Sequence, residues 1–97
     1  FHLELQSYND KNINFRMLEY FLLSREKFKT NNIIQMVLYV GDSKLNMPNS
    51  INLHNLQYNF LLKDIKKLNC LELINSNNLE DKLLAVLCNI KDENKYI

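Results

Sequence analysis

The sequence predicts an α/β fold, and three neighbouring segments carry that prediction. Residues 1–6 alternate between apolar and polar side chains, which is the period of a strand with one face in a core. Residues 15–29 place apolar side chains at helical spacing, and residues 33–40 form an almost wholly apolar run that ends at Gly41. Strand, helix and strand in this order are typical of a βαβ unit, whose two strands lie parallel in one sheet.

Length and composition indicate at most one small domain of ordinary globular type. The chain has 97 residues, of which 46% are apolar and 24% are charged, and its net charge is +1. This balance gives no overall electrostatic signature of nucleic-acid binding, although a local basic patch is compatible with it. The sequence contains neither a run of about 18 apolar residues nor a basic-then-apolar leader. We therefore expect no membrane partner and a cytoplasmic protein.

The first predicted strand has two different faces. The face expected to enter the core carries Phe1, Leu3 and Leu5, and the opposite face carries His2, Glu4 and Gln6. The helix that follows is expected from Phe15 to about Lys29, with Asn12 or Asn14 as its N-cap. Its apolar side is predicted from Phe15, Leu18 and Leu22, and less regularly from Met17, Phe21 and Phe28. Another side carries Arg16 and Tyr20, one turn apart.

After the buried strand at residues 33–40, the chain is predicted to form one further strand and two short helices. In the buried strand at residues 33–40, Gln35 is the polar exception and must have a hydrogen-bond partner. The remaining segments are a polar loop at 42–55, a strand at 56–63, a turn at 64–69, helices at 70–74 and 78–90, and a charged tail at 92–97. The strand at 56–63 is expected to turn Leu56, Tyr58, Phe60 and Leu62 to one face.

Cysteine and histidine give little sign of a site. Cys70 and Cys88 lie 18 residues apart without a CxxC pair, so we interpret them as reduced packing thiols; a disulfide is possible but has no support from the pattern. His2 and His54 have no partner at zinc-ligand spacing and are interpreted as structural or exposed. No Ser/His/Asp, Cys/His or phosphate-loop motif is present, which argues against nucleophilic catalysis and against a nucleotide cofactor.

The pair formed by Glu4 and Gln6 allows two interpretations. Side chains at positions i and i+2 share one face of a strand, and such a face is most often simply solvated. Alternatively, a carboxylate at a strand end can join a second carboxylate in binding Mg²⁺, with the next side chain on that face orienting a water molecule.

Four segments together resemble one family. They are the ExQ at Glu4 and Gln6, RMLEY at 16–20, QMVLYVG at 35–41 and YNFLLKDIKKL at 58–68. In this order and spacing the chain, from Phe1 to about residue 89, is similar to the Rpn family of recombination-promoting, transposase-associated nucleases in the PD-(D/E)XK superfamily.

The resemblance implies a restriction-endonuclease-like mixed sheet flanked by helices, and a Mg²⁺ site. Glu4 would be a metal ligand, and the carbonyl of Leu5 a further one. Gln6 would be catalytic at the position where most of the superfamily has lysine; glutamine supplies only a dipole, so more of the electrostatic stabilisation would come from the metal.

The resemblance also implies DNA as the partner and admits a homodimer. Arg16 and Tyr20 would contact phosphate or lie on a solvated helix face, with Tyr20 half in the core as a further alternative. Gln35 would support the site from the neighbouring strand or satisfy a backbone group. Asp10 and Glu19 are expected at the surface.

In this family's core, a helix and two strands precede the ExQ strand, and the second of those strands carries an Asp ligand. We therefore expect residues 1–97 to be a partial nuclease domain that lacks these elements. Residues 1–41 would be the strand–helix–strand part of the catalytic core and residues 56–91 a strand plus C-terminal helices. With one carboxylate the chain alone is expected to be inactive.

Three functions stay open. The first is the C-terminal part of a Mg²⁺-dependent DNA endonuclease linked to recombination, mobile elements or DNA defence. The second is an inactive fragment that acts as a regulatory or interaction module or is a mobile-element remnant. The third is a small α/β domain in which Glu4 and Gln6 are only surface.

Overall fold

The computed structural model describes the backbone of residues 1–94 and the side chains of residues 1–88. Its elements are β1 (His2–Gln6), α1 (Ile13–Phe28), β2 (Gln35–Tyr39), β3 (Ser50–Leu53), β4 (Leu56–Asn59), β5 (Leu61–Asp64), a 3₁₀ turn (Ile65–Lys67), α2 (Cys70–Asn75) and α3 (Leu79–Asn94). The chain divides into a first unit, Phe1–Asp64, and a second unit, Ile65–Ile97. The predicted α/β class is confirmed.

The first unit is built on a parallel sheet with the order β1-β2-β5. β1 and β5 both run parallel to the central β2, with Glu4 beside Val37 and Val37 beside Leu62. All five residues of β2 are buried, as expected for a strand with a neighbour on each side. The predicted βαβ arrangement of β1, α1 and β2 is therefore confirmed.

The predicted loop at 42–55 and the predicted single strand at 56–63 are both wrong in part. β3 forms at the end of that loop and pairs antiparallel with β4 as a separate two-stranded hairpin. The predicted strand divides at the buried Phe60, where the chain leaves the hairpin and β5 joins the parallel sheet. The expected alternation persists across the break, because Leu56, Tyr58 and Leu62 are half-buried and their neighbours are mostly exposed.

A small apolar cluster joins α1, the sheet and the hairpin. Its buried members are Ile13, Met17, Val37 and Phe60, with Met47, Tyr58 and Leu62 packed against them. The helix therefore buries a different side from the predicted one: Phe15 is 47% exposed and Leu22 is 53% exposed. Apolar side chains surround much of α1, so their spacing alone did not determine which side would meet the sheet.

The two faces of β1 are also placed opposite to the prediction. Leu5 is 56% exposed and Phe1 is 50% exposed, whereas Gln6 is only 5% exposed. The reason is that α1 covers the polar face, where ring and ion-pair contacts join it to His2 and Glu4. The charged groups on this face tolerate the burial because they pair with one another, whereas Nε2 of Gln6 has no hydrogen-bond partner among the described residues.

The second unit contains α2 and α3. Each begins at an asparagine cap, since Asn69 accepts from the N–H of Glu72 and Asn78 accepts from the N–H of Glu80 at 2.8 Å. The predicted start of the last helix near Asn78 is therefore confirmed. α3 continues to Asn94 and includes the start of the expected charged tail; positions 95–97 of that tail lie outside the described residues.

A disulfide joins Cys70 in α2 to Cys88 in α3, with their Cα atoms 5.7 Å apart. The interpretation of both cysteines as reduced thiols is therefore wrong. The spacing gave no signal because the turn between the helices, and not the sequence separation, brings the two residues together. Over residues 1–94, no helix combines the length and the apolar character that crossing a membrane requires.

Candidate functional site

The polar face of β1 and the overlying α1 form an ion-pair cluster around Glu4. One carboxylate oxygen of Glu4 lies 3.7 Å from Nη2 of Arg16, and the other lies 3.4 Å from Nε2 of His2. The Glu4 side chain is 27% exposed, so its charge interacts in partly screened surroundings. The structure thus brings Glu4 and Arg16 together, two of the residues singled out by sequence.

Asp10 belongs to this cluster, although the sequence placed it at the surface. Its Oδ2 accepts from Nη1 of Arg16 at 2.7 Å, and its Oδ1 accepts from the N–H of Asn12 at 2.9 Å. With a side chain only 17% exposed, Asp10 fixes both the start of α1 and the guanidinium. Arg16 therefore bridges two carboxylates, Glu4 and Asp10.

Gln35 connects the cluster to the interior of the first unit. It is 5% exposed, and its Nε2 donates to the carbonyl of Met17 at 2.9 Å and lies 3.1 Å from Nδ1 of His2. Its Oε1 accepts from the hydroxyl of Tyr58. The hydrogen-bond partner that the sequence required of Gln35 is confirmed, and the contact with His2 links it indirectly to Glu4.

Tyr20 contacts His2 and not Glu4. The two rings meet edge to face with their centroids 5.3 Å apart. This contact restricts rotation of the imidazole from the side of α1.

Gln6 lies on the same face of β1 as Glu4, beside Tyr39 in the sheet register. Among the side chains of residues 1–88, the buried nitrogens without a hydrogen-bond partner are Nε2 of Gln6 and Nε of Arg16. Unpaired buried donors are uncommon, and the presence of one on β1 and another on the overlying α1 marks this place as chemically unusual.

The carbonyl of Leu5 is directed to the edge of the described sheet. The backbone N–H of His2 donates to the carbonyl of Ile34 at 2.8 Å, and the carbonyl of Gln6 accepts from the N–H of Val40 at 2.7 Å. In a parallel ladder alternate residues bond the same neighbour, so the peptide groups of Leu5 turn away from β2. β1 is an edge strand in this sheet, and that side of it therefore offers unpaired backbone groups.

The described residues do not by themselves fit a Mg²⁺ ion. Both oxygens of Glu4 already face nitrogen groups, and Asp10 is directed to Arg16. No group of three His, Cys, Asp or Glu side chains with the geometry to hold a metal occurs among these residues. Mg²⁺ prefers oxygen ligands in octahedral arrangement, and Glu4 with the Leu5 carbonyl supplies only part of such a set.

No protein-family model matches the chain, and no curated protein and no solved structure matches it either.

Sequence reasoning missed three residues: His2 and Asp10 in the ion-pair cluster, and Tyr58, which bonds Gln35 behind it. His2 had a usable signal, because it precedes Glu4 by two positions and so shares its face of β1. Asp10 and Tyr58 had none, because their contacts with Arg16 and Gln35 depend on how the loop and the hairpin fold back onto α1 and the sheet.

Tyr58 provides a test of the buried network. Burial raises the pKa of Tyr58 from 10.0 to about 12. The unfolded chain therefore loses this proton first, and the free energy of unfolding is expected to fall as pH rises from about 10 to about 12. A tyrosinate absorbance titration should show a late step that the Tyr58→Phe variant lacks. An unchanged titration in that variant would contradict the burial of this hydroxyl.

Proposed function

We propose that this chain is part of a Mg²⁺-dependent DNA endonuclease with a restriction-endonuclease-like core, similar to the Rpn family. Such an enzyme hydrolyses phosphodiesters and would act in recombination, mobile elements or DNA defence. The observation that carries the proposal is that Glu4 and Gln6 share the face of β1 covered by α1, from which Arg16 reaches Glu4. The parallel pairing of β1 with β2 across α1 is consistent with such a core.

The proposal assigns Glu4 as one of two carboxylates, the second coming from a segment outside residues 1–97. The edge of β1 supports this assignment, since the backbone of Leu5 faces outward there and its side chain is 56% exposed. A strand paired at this edge would bring its own side chains next to Glu4. Arg16 would then balance a more acidic site, and the buried amide of Gln6 would donate to a water molecule held within that site.

A plasmid-nicking assay with Mg²⁺ tests the proposal. The 97-residue chain is expected to leave supercoiled DNA intact, because its donor set is incomplete. The protein extended in frame upstream of Phe1 is expected to nick it, and Glu4→Ala in that protein should abolish nicking. Glu19→Ala is the matched control, because Glu19 is exposed on the same helix as Arg16 and should leave cleavage unchanged.

Two outcomes would contradict the proposal. One is an extended protein that folds and binds Mg²⁺ but does not cut DNA. The other is cleavage that survives Glu4→Ala, since the catalytic metal would then lie elsewhere.

A second candidate function is an inactive module that regulates an intact nuclease, or a mobile-element remnant. The observation that favours it is the pairing of Glu4 with Arg16 and His2, which leaves neither carboxylate oxygen facing an open site. The nicking assay separates the two candidate functions. The endonuclease requires that the extended protein nicks DNA, whereas the inactive module or remnant requires that it does not. A regulator, unlike a remnant, should also lower the cleavage rate of an intact nuclease when the two are mixed.

A further inference from the structure

We infer that His2 is a positioning residue for Glu4, held in a single tautomer by Gln35 and Tyr58. The importance of Glu4 rests on the proposed function, whereas the hydrogen-bond chain that holds it stands on contacts alone. This chain of side-chain contacts begins at Tyr58 in the hairpin and passes through Gln35 and His2 to Glu4 in the first strand.

The carbonyl of Met17 and the hydroxyl of Tyr58 together orient the Gln35 amide. The carbonyl of Met17 accepts a hydrogen bond and cannot donate one, so the group that faces it at 2.9 Å must be the NH₂ of Gln35. The amide oxygen is then directed to the hydroxyl of Tyr58, which donates to it. A rotated amide would place two acceptors against each other inside the protein, which burial makes costly.

The Gln35 amide in turn determines the tautomer of His2. Nε2 of Gln35 lies 3.1 Å from Nδ1 of His2 and directs its remaining hydrogen to it. This ring nitrogen must therefore accept the hydrogen bond. In a neutral imidazole one nitrogen accepts and the other carries the proton. The proton therefore lies on Nε2, which faces the carboxylate of Glu4 at 3.4 Å.

The carboxylate of Glu4 is oriented by His2 and Arg16 together. Its Oε2 faces the ring Nε2–H of His2, which lies on the same strand. Its Oε1 faces the guanidinium of Arg16, which lies on α1. The ring of Tyr20 closes against the imidazole edge to face, so His2 is held from the helix side as well. Glu4 is thus oriented by groups on two different elements, which is how metal-ligating and catalytic carboxylates are held in place.

The closing experiment reads the tautomer directly in the 97-residue chain, without DNA or metal. Long-range ¹⁵N–¹H correlation at about pH 8, where an ordinary histidine is neutral, separates protonated from unprotonated ring nitrogens. His2 is expected to show one tautomer with the proton on Nε2. His54, in the exposed turn between β3 and β4, is the internal control and should show an averaged mixture.

Paired tyrosine variants test the role of the hydrogen-bond chain. Tyr58→Phe removes one of the two contacts that hold the Gln35 amide and leaves the Met17 carbonyl in place, so the His2 signals should shift part of the way toward the mixture seen for His54. Tyr8→Phe is the matched control, because Tyr8 is 59% exposed and should leave the His2 signals unchanged. A mixed tautomer at His2 in the unsubstituted chain would overturn the inference, as would equal effects of the two variants.

In the extended nuclease, His2→Leu is expected to lower kcat about 10- to 100-fold with little change in KM, the range for side chains that orient ligands. His2→Gln keeps a donor near the position of Nε2 and should restore most of the rate. Full activity in His2→Leu would refute the positioning role. An extended protein that never cuts DNA would remove the proposed function but leave the tautomer result standing, so the two failures are distinguishable.

Discussion

Replacing Gly41 with alanine is expected to destabilise the first unit by about 3 kcal/mol, at the upper end of overpacking costs. A Cβ added at Gly41 would meet the carbonyl oxygen of Ser7 and would lie 2.5 Å from Oη and 2.6 Å from Cζ of Tyr39. Tyr39 is fully buried, and its hydroxyl is bonded to Ser43 at 2.6 Å, so neither neighbour can move away easily. Gly41 does not have a positive φ, so the requirement here is space and not backbone freedom.

Urea unfolding followed by tyrosine fluorescence measures this effect, because four of the five tyrosines lie in the first unit: Tyr8, Tyr20, Tyr39 and Tyr58. Asp42→Ala at the next, exposed position is the control and should change stability by no more than about 0.5 kcal/mol. The double variant Tyr39→Phe with Gly41→Ala should lose less than the sum of the single variants, since the phenylalanine removes one of the overlapping atoms. If Gly41→Ala unfolds at the same urea concentration as Asp42→Ala, the close packing at Gly41 is wrong.

Sequence period determined the element types better than it determined which side of each element is covered. Alternation in residues 1–6 predicted β1 correctly but assigned Leu5 to the core and Gln6 to solvent. A period of two separates two faces without saying which one a neighbouring helix will cover. The face beneath α1 is the polar one, and it is tolerated because Glu4, His2 and Arg16 pair with one another.

A change of strand partner is invisible to the same kind of pattern. Residues 56–63 alternate as one strand would, yet β4 pairs with β3 and β5 pairs with β2. Side-chain period records the pleat of the backbone and not the identity of the hydrogen-bonded neighbour. The break at Phe60 therefore required three-dimensional information.

The candidate site was predictable where its contacts follow from one βαβ unit. The sequence placed Arg16 and Tyr20 on the helix beside β1, and the structure sets them against Glu4 and His2 respectively. It required a partner for buried Gln35 without identifying Tyr58, which lies 23 residues further along the chain on the separate hairpin. Contacts within the unit follow from local geometry, whereas contacts with the hairpin depend on packing.

Reduction of the bond between Cys70 and Cys88 is expected to destabilise the second unit by about 3 kcal/mol, the loop-closure estimate for a separation of 18 residues. The effect is large relative to the unit, because segments below about 40 residues rarely fold on apolar burial alone. In the described part of this unit the buried apolar side chains are few: Leu73, Leu84, Ala85 and Cys88 itself. Without the cross-link, α2 and α3 should separate and exchange their amide hydrogens faster.

Hydrogen exchange read by mass spectrometry, with and without reductant, measures this directly. Peptides from α2 and α3 should exchange faster after reduction, while those from the buried strand β2 serve as the internal control and should not change. The Cys70→Ser/Cys88→Ala variant should exchange, with and without reductant, at the faster rate that the unsubstituted protein shows after reduction. Equal exchange before and after reduction in the unsubstituted chain would show that the bond does not stabilise the unit.

A thiol count on the untreated protein decides a related conflict. The cytosol keeps most cysteine pairs reduced, so the disulfide and the expectation of a cytoplasmic protein favour different results. Protein purified under conditions that preserve its redox state should release no thiol before reduction and two afterwards, because Cys70 and Cys88 are its two cysteines. Two reactive thiols in the untreated, denatured protein would instead indicate that the pair is reduced in the cell and that α2 and α3 are held together by packing alone.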